Sequence, residues 1–97
     1  MSSPAQRIAV ADRPDRRRYE IQLNGERAGV LTYRLADGMI TFRHTEIDPS
    51  VGGRGLGSAL VRFALDDARA RGLTVIPRCP FVAAFIVRHP EYEEFVA

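Results

Sequence analysis

Asp48-Pro49-Ser50-Val51-Gly52-Gly53-Arg54-Gly55-Leu56-Gly57-Ser58 divides the chain into two kinds of pattern. Pro49 cannot donate to a sheet ladder, so it ends whatever strand precedes it. Val51 to Gly57 then holds four glycines in seven residues. From Leu56 to Ala70 the spacing is helical. Leu60, Ala64 and Ala68, with Val61 and Leu65, make one apolar stripe, while Ser58, Arg62, Asp66 and Arg69 face outward. Gly72 suits the C-terminal end of that helix. The stretch therefore reads as a glycine loop feeding a helix N-terminus. Unpaired N–H groups and the positive end of the helix dipole favour an anion there, and glycines let a phosphate approach the backbone closely.

Upstream, the period is two. Tyr19, Ile21 and Leu23 alternate with Glu20, Gln22 and Asn24; Gly29, Leu31, Tyr33 and Leu35 alternate in a second run; Ile40, Phe42 and His44 form a third. Asn24-Gly25 and Asp37-Gly38 are hairpin turns, because both central positions of the favoured turn need φ > 0. Ile8 to Ala11 is a candidate extra N-terminal strand, and Ala11 to Arg18 reads as a polar loop. Downstream, Leu73 to Ile76 suits a buried strand. Pro80 fits the first position of a helix running to Arg88, His89-Pro90 breaks it, and Glu91 to Val96 adds one more turn. The order is β-β-β, glycine loop, α, β, α. It predicts one α+β domain over residues 1–97, with a mostly antiparallel sheet, helices packed on it, and residues 1–6 frayed.

The 97 residues include 14 Arg and no Lys, one Cys and no Trp, for a net charge of +2. The absence of Lys excludes Schiff-base chemistry and a Walker-type phosphate lysine, and is the codon usage of a GC-rich, bacterial-type genome. A single cysteine excludes an internal disulfide. No apolar run approaches a membrane span, and the N-terminus lacks the apolar stretch of a signal peptide, so the expectation is a cytoplasmic protein with no membrane partner. The small net charge gives no argument for nucleic acid. Arg16-Arg17-Arg18 reads as a solvated loop.

Familiar phosphate loops fail on inspection. A Walker A loop needs Lys where Gly57 stands. The dinucleotide fingerprint needs Gly at Ser58 and a βαβ setting. Gly52-Gly53-Arg54-Gly55 matches the GXXG of an RNA-binding KH domain, but that motif should link two helices.

Gly55-Leu56-Gly57-Ser58-Ala59-Leu60 resembles the acyl-CoA loop of the GCN5-related N-acetyltransferases. With His44-Thr45-Glu46-Ile47, Pro77-Arg78-Cys79-Pro80-Phe81 and His89-Pro90-Glu91-Tyr92, it resembles a small, single-domain branch of that superfamily from Tyr19 to the C-terminus. The superfamily loop reads Gln/Arg-x-x-Gly-x-Gly/Ala. Gly55 and Gly57 match its last two positions, and Gly52 departs from the first. The resemblance implies an acetyl-CoA-dependent N-acetyltransferase acting on an amine, a small molecule or a protein. Gly53, Arg54, Gly55, Leu56, Gly57 and Ser58 then hold the pyrophosphate. The pantetheine arm fills a gap between the strand ending near Ile47 and the strand at Leu73 to Ile76. A chain short for the superfamily leaves room for help from a partner chain, such as a homodimer, or for a CoA-binding or regulatory module with little turnover. An RNA-binding domain is the remaining alternative.

Three side chains are candidates for the chemistry. His44 and Glu46, two apart on one strand, share a face expected to carry Ile40 and Phe42 as well, and either could accept a proton from the amine. Cys79 falls at the N-cap of the second helix, beside Arg78, where dipole and charge favour a thiolate. The branch resembled carries a cysteine at the matching point, which implies either an acetyl-cysteine intermediate or a polar role in direct transfer. The resemblance implies that Tyr92 could supply a proton to the departing thiolate, as tyrosines do in larger relatives, but its place after the last helix break points to packing. Phe81, Phe85 and Ile86 are expected in the core. His44, Cys79 and His89 have no metal-ligand spacing, so no metal is expected.

Overall fold

The computed structural model describes residues 6–97. Of residues 1–6, expected to fray, all but Gln6 lie outside them; Arg7 is tied to Asn24 by two hydrogen bonds, at 2.8 and 3.0 Å. Five strands follow in chain order: β1 (Ile8–Arg13), β2 (Arg18–Leu23), β3 (Glu26–Ala36), β4 (Met39–Ile47) and β5 (Thr74–Pro77). Helix α1 (Leu56–Ala70) links β4 to β5, and α2 (Pro80–Arg88) follows, ending in a 3-10 turn at Pro90–Phe95. The sheet order is β1-β2-β3-β4-β5, antiparallel throughout except for the parallel β4–β5 pair. This is the α+β arrangement expected, with the N-terminal strand present and longer than Ile8–Ala11. The polar stretch read as a loop contributes its first residues to β1 and its last, Arg18, to β2; between them Pro14–Arg16 forms a short 3-10 segment closed by Arg17 at φ 54°.

Both hairpins form where the sequence placed them. Asn24 and Gly25 sit at φ 52° and 86°, Asp37 and Gly38 at 54° and 75°. These are the paired left-handed residues of a turn whose twist matches its strands.

The α1 stripe of Leu56, Leu60, Val61, Ala64, Leu65 and Ala68 is buried. It packs with Val82, Phe85 and Ile86 of α2 on a sheet face carrying Tyr19, Ile21, Leu31, Tyr33, Ile40 and Phe42. One apolar cluster thus holds both helices on one side. The opposite face carries no helix. Two rows cross it: Arg18, Thr32 and His44 are in register, as are Glu20, Val30 and Glu46.

Polar groups at the core margin are satisfied. The Tyr19 hydroxyl donates to Asp67 and the Tyr33 hydroxyl to Asp12, both at 2.6 Å. Arg71 joins the two carboxylates. Burial, reinforced by these carboxylate bonds, pushes both phenols above their ordinary range. Glu20, nearly buried on the open face, is ringed by Arg13, Arg16, Arg18 and Arg27, with Arg18 closest at 2.7 Å.

Candidate active site

The site begins with an irregularity in β4. Thr32 pairs with His44 but Tyr33 pairs with Phe42, so Arg43 is an extra residue on that strand. Such a bulge shifts the alternation by one. Ile40 and Phe42 face the helices, while beyond the bulge Thr45 and Ile47 do so. His44 and Glu46 are turned to the open face instead. The expectation that they share a face with Ile40 and Phe42 is therefore corrected: the bulge reverses parity between Phe42 and His44. His44 is exposed, and its Nε2 lies 3.2 Å from Glu46 Oε1.

The same place opens the sheet. β5 pairs with β4 only from Met39–Thr74 to Phe42–Pro77. Cys79 N–H donates to the Phe42 carbonyl at 2.9 Å, and the chain then turns into α2. Arg43 to Ile47 has β3 on one side and no strand on the other. Proline at 77 lacks the donor that would continue the ladder.

Cys79 is the N-cap of α2, as expected, and is nearly buried. Its side chain makes no capping hydrogen bond. Sγ instead lies 3.2 Å from Thr45 Oγ1 across the opening. The free helix N–H groups invoked for a thiolate are thus not its partners; a threonine hydroxyl is. Thr45 was not singled out in the sequence. The available signal was parity, since the apolar positions move from even numbers at Ile40 and Phe42 to an odd one at Ile47.

The glycine loop arrives beside this opening. A 3-10 turn at Pro49–Val51, with the Asp48 carboxylate accepting from Ser50 N–H at 2.9 Å, carries the chain out of β4. Gly55 is the N-cap of α1 at φ 75°, with no side chain capping the helix. The first α1 bond runs from Ala59 N–H to the Gly55 carbonyl. The N–H groups of Leu56, Gly57 and Ser58 thus stand at the unpaired first turn. Ile47, Gly53, Gly55, Leu56, Gly57 and Ser58 line one recess of about 340 Å³, closed by Phe81 and Arg88. Arg54 points elsewhere, toward a hollow beside Asn24 and Asp48. Phe81, expected in the core, is half-exposed and lies over Gly57, where an added Cβ would come within 2.8 Å of its ring. Phe85 and Ile86 are buried as expected. Arg88, seven residues from Phe81 on the same helix face, is a cation that the sequence reading did not assign.

A family model described as GCN5-related N-acetyl-transferase matches residues 18–95. The chain belongs to the GCN5-related N-acetyltransferase family. Among curated proteins, it is similar to Protein NATD1 of Bos taurus, 28% identical over 92 residues, covering 91% of this chain and 81% of that protein. Protein NATD1 of Mus musculus is 27% identical, over 86% of this chain and 77% of its own. Among solved structures, the solution structure of a GCN5-like protein from Staphylococcus aureus matches with a TM-score of 0.69 at 22% identity. It covers 92% of this chain and 87% of its own, and that likeness concerns the fold.

An N-acetyltransferase of this family needs room for a CoA pyrophosphate and for a thioester arm. The recess fits the first: its glycines leave open space at Gly53 and Gly55, and its amides are unpaired by any side chain. The free β4 edge beside Ile47 fits the second. Tyr92 is committed elsewhere. It is buried, donates to Asp66 of α1 at 2.7 Å and accepts from Arg62, and burial followed by the Asp66 bond raises its phenol above the ordinary value. Packing is therefore its role, as expected. Gly52–Gly55 joins a 3-10 turn to α1 rather than two α-helices, so the RNA-binding reading gains no support. Among the described residues, no cluster of three or more His, Cys, Asp or Glu is placed to hold a metal. Nor is any helix long and apolar enough to cross a membrane.

Proposed function

We propose that this protein transfers an acetyl group from acetyl-CoA to an amine. The observation that carries this reading is the convergence of three features at one opening: the glycine recess, the unpaired edge of β4 and the Cys79 thiol. Amides at Gly53 to Ser58 bind the pyrophosphate, assisted by the α1 dipole and by Arg88. The β4 edge at Ile47 receives the pantetheine arm through main-chain hydrogen bonds.

Cys79 and Thr45 meet the thioester from the helix side of the sheet. His44 and Glu46 meet the amine from the open side. A strand edge with no neighbour is reachable from both, which lets the two halves of the reaction approach one carbonyl carbon. In the covalent route, a bond forms from Cys79 Sγ to that carbon as the CoA sulfur leaves, and the thiol proton passes to the leaving thiolate. The amine then displaces Sγ and gives its proton to Glu46 or His44, directly or through water. In the direct route, Cys79 and Thr45 hold the carbonyl while the amine attacks.

Mass spectrometry after incubation with acetyl-CoA and no acceptor tests the choice. An acetyl adduct on Cys79, absent from Cys79→Ser, supports the covalent route. Full transfer activity in a folded Cys79→Ala variant removes Cys79 from the mechanism. Absence of CoA binding in isothermal titration overturns the function as a whole.

A further inference from the structure

The open face of the sheet holds a groove of about 700 Å³ that neither the helices nor the glycine loop uses. It begins at the free edge of β4 and runs across β3 to β2. Its walls have opposite charge. Glu46 and Asp48 stand at the β4 end, Arg18 and Arg27 at the other, and Gly29 and Val30 form the floor. Gly29 is required by the opposite, helix-facing side of the sheet, where a Cβ would strike Ile47 and crowd Ile21.

The cationic wall is built and not self-neutralised. Glu20 faces four guanidiniums and Asp15 stands beside one of them, Arg16, so two positive charges are in excess there. Arg18 is fixed by two contacts to one Glu20 oxygen, from Nε at 2.8 Å and Nη2 at 2.7 Å. Arg27 is 3.8 Å from the same oxygen and 55% exposed, leaving most of its fork open to a ligand. β2 and β4 lie about 10 Å apart across β3. Arg18 reaches in from β2 and Glu46 from β4, while Arg27 stands on β3 between them, which shortens that span to a few bonds. The anionic wall is also the one that faces the reaction opening.

We propose that the acceptor is a small amino-carboxylate, bound across Val30 with its carboxylate at Arg27 and Arg18 and its amine at Glu46. The assignment rests on the acetyltransferase reading and names its substrate class. Charge at both ends of the groove orients the molecule so that the amine, not the carboxylate, points into the opening. A carboxamide of the same length keeps the amine and loses the charge-assisted contact.

Backbone amide NMR on the intact protein separates the two readings. CoA is titrated first and followed at Gly53, Gly55 and Gly57. Glycine, β-alanine, 4-aminobutyrate and 5-aminovalerate are then added to the CoA-saturated protein, alongside their carboxamides, and followed at Gly29, Val30 and Glu46. At least one amino-carboxylate is expected to bind about tenfold more tightly than its carboxamide. Arg27→Gln, at an exposed position, is expected to abolish that preference while leaving the CoA shifts unchanged. Equal binding of acid and amide overturns the proposal, as does binding mapped away from β3 and β4. Binding of an acidic lysine-containing peptide, with none of the free amino acids, also overturns it. Loss of the CoA shifts in the wild type overturns the acetyltransferase reading itself.

Discussion

Cys79 and Thr45 come from segments 34 positions apart and meet at 3.2 Å. Each is the other's hydrogen-bonding side-chain partner, so replacing the hydroxyl isolates one contact. Thr45→Val keeps volume and β-branching. It should leave folding and CoA affinity intact and reduce the rate of acetyl transfer about tenfold, the scale of one lost hydrogen bond in a transition state. Steady-state kinetics with acetyl-CoA checks it, and an unchanged rate separates Thr45 from the chemistry. Glu20 makes a different kind of contribution. Burial opposes its ionisation, but the Arg18 hydrogen bond and the charges of Arg18, Arg16 and Arg27 outweigh it and hold the carboxyl below its ordinary value of 4.5. A folded-state value below the unfolded one stabilises the fold above about pH 4.5, and the contribution fades as pH falls through the lowered value. Glu20→Gln should therefore cost about 1 kcal/mol at pH 7. The cost should vanish in acid, as read by urea melts across pH 3 to 7.

At the level of elements, the glycine loop and α1 were legible because their requirements are local. Apolar spacing marks the helix and glycine marks the left-handed turns, whatever packs around them. The loop also yields a test that leaves its backbone unstrained. Gly52 has φ −61° and only ordinary contact at its Cβ position, 3.5 Å from the Pro49 carbonyl. Gly52→Arg restores the residue type of the superfamily pattern. It should fold normally and tighten CoA binding severalfold by adding a cation near the pyrophosphate, measured by isothermal titration. Gly57→Ala should do the reverse. Its methyl group displaces the Phe81 ring, whose outer edge lies 2.8 Å from that position, and the recess changes shape. Weaker CoA binding is expected, with partial recovery on adding Phe81→Leu. Gly55→Val strains a residue at φ 75°, so stability should fall by about 1 kcal/mol or more along with affinity.

For the whole molecule, the decisive feature is a sheet that closes on one side and opens along half of one strand. The unpaired amides between Arg43 and Ile47 should exchange with deuterium quickly in the free protein and about tenfold more slowly with CoA bound. Unchanged protection there would place the arm elsewhere. Composition, the two positive-φ turns, the α1 stripe and the Pro80 helix start were set by the chain's own pattern, because each depends on neighbours within a few residues. The glycine loop and the N-cap position of Cys79 belong to that class. The facing of His44 and Glu46 does not. It turns on one extra residue in β4, and a bulge forms where two strands must keep different registers on either side of it, at Thr32–His44 and Tyr33–Phe42. Phe81 likewise reads as core by helical spacing, but is half-exposed because Gly57 leaves it a seat on the recess. The Thr45–Cys79 contact, Arg88 beside the loop and the charge-split groove on the open face share that cause. Each is a meeting of residues from separate segments, and only the packed sheet and helices bring them together.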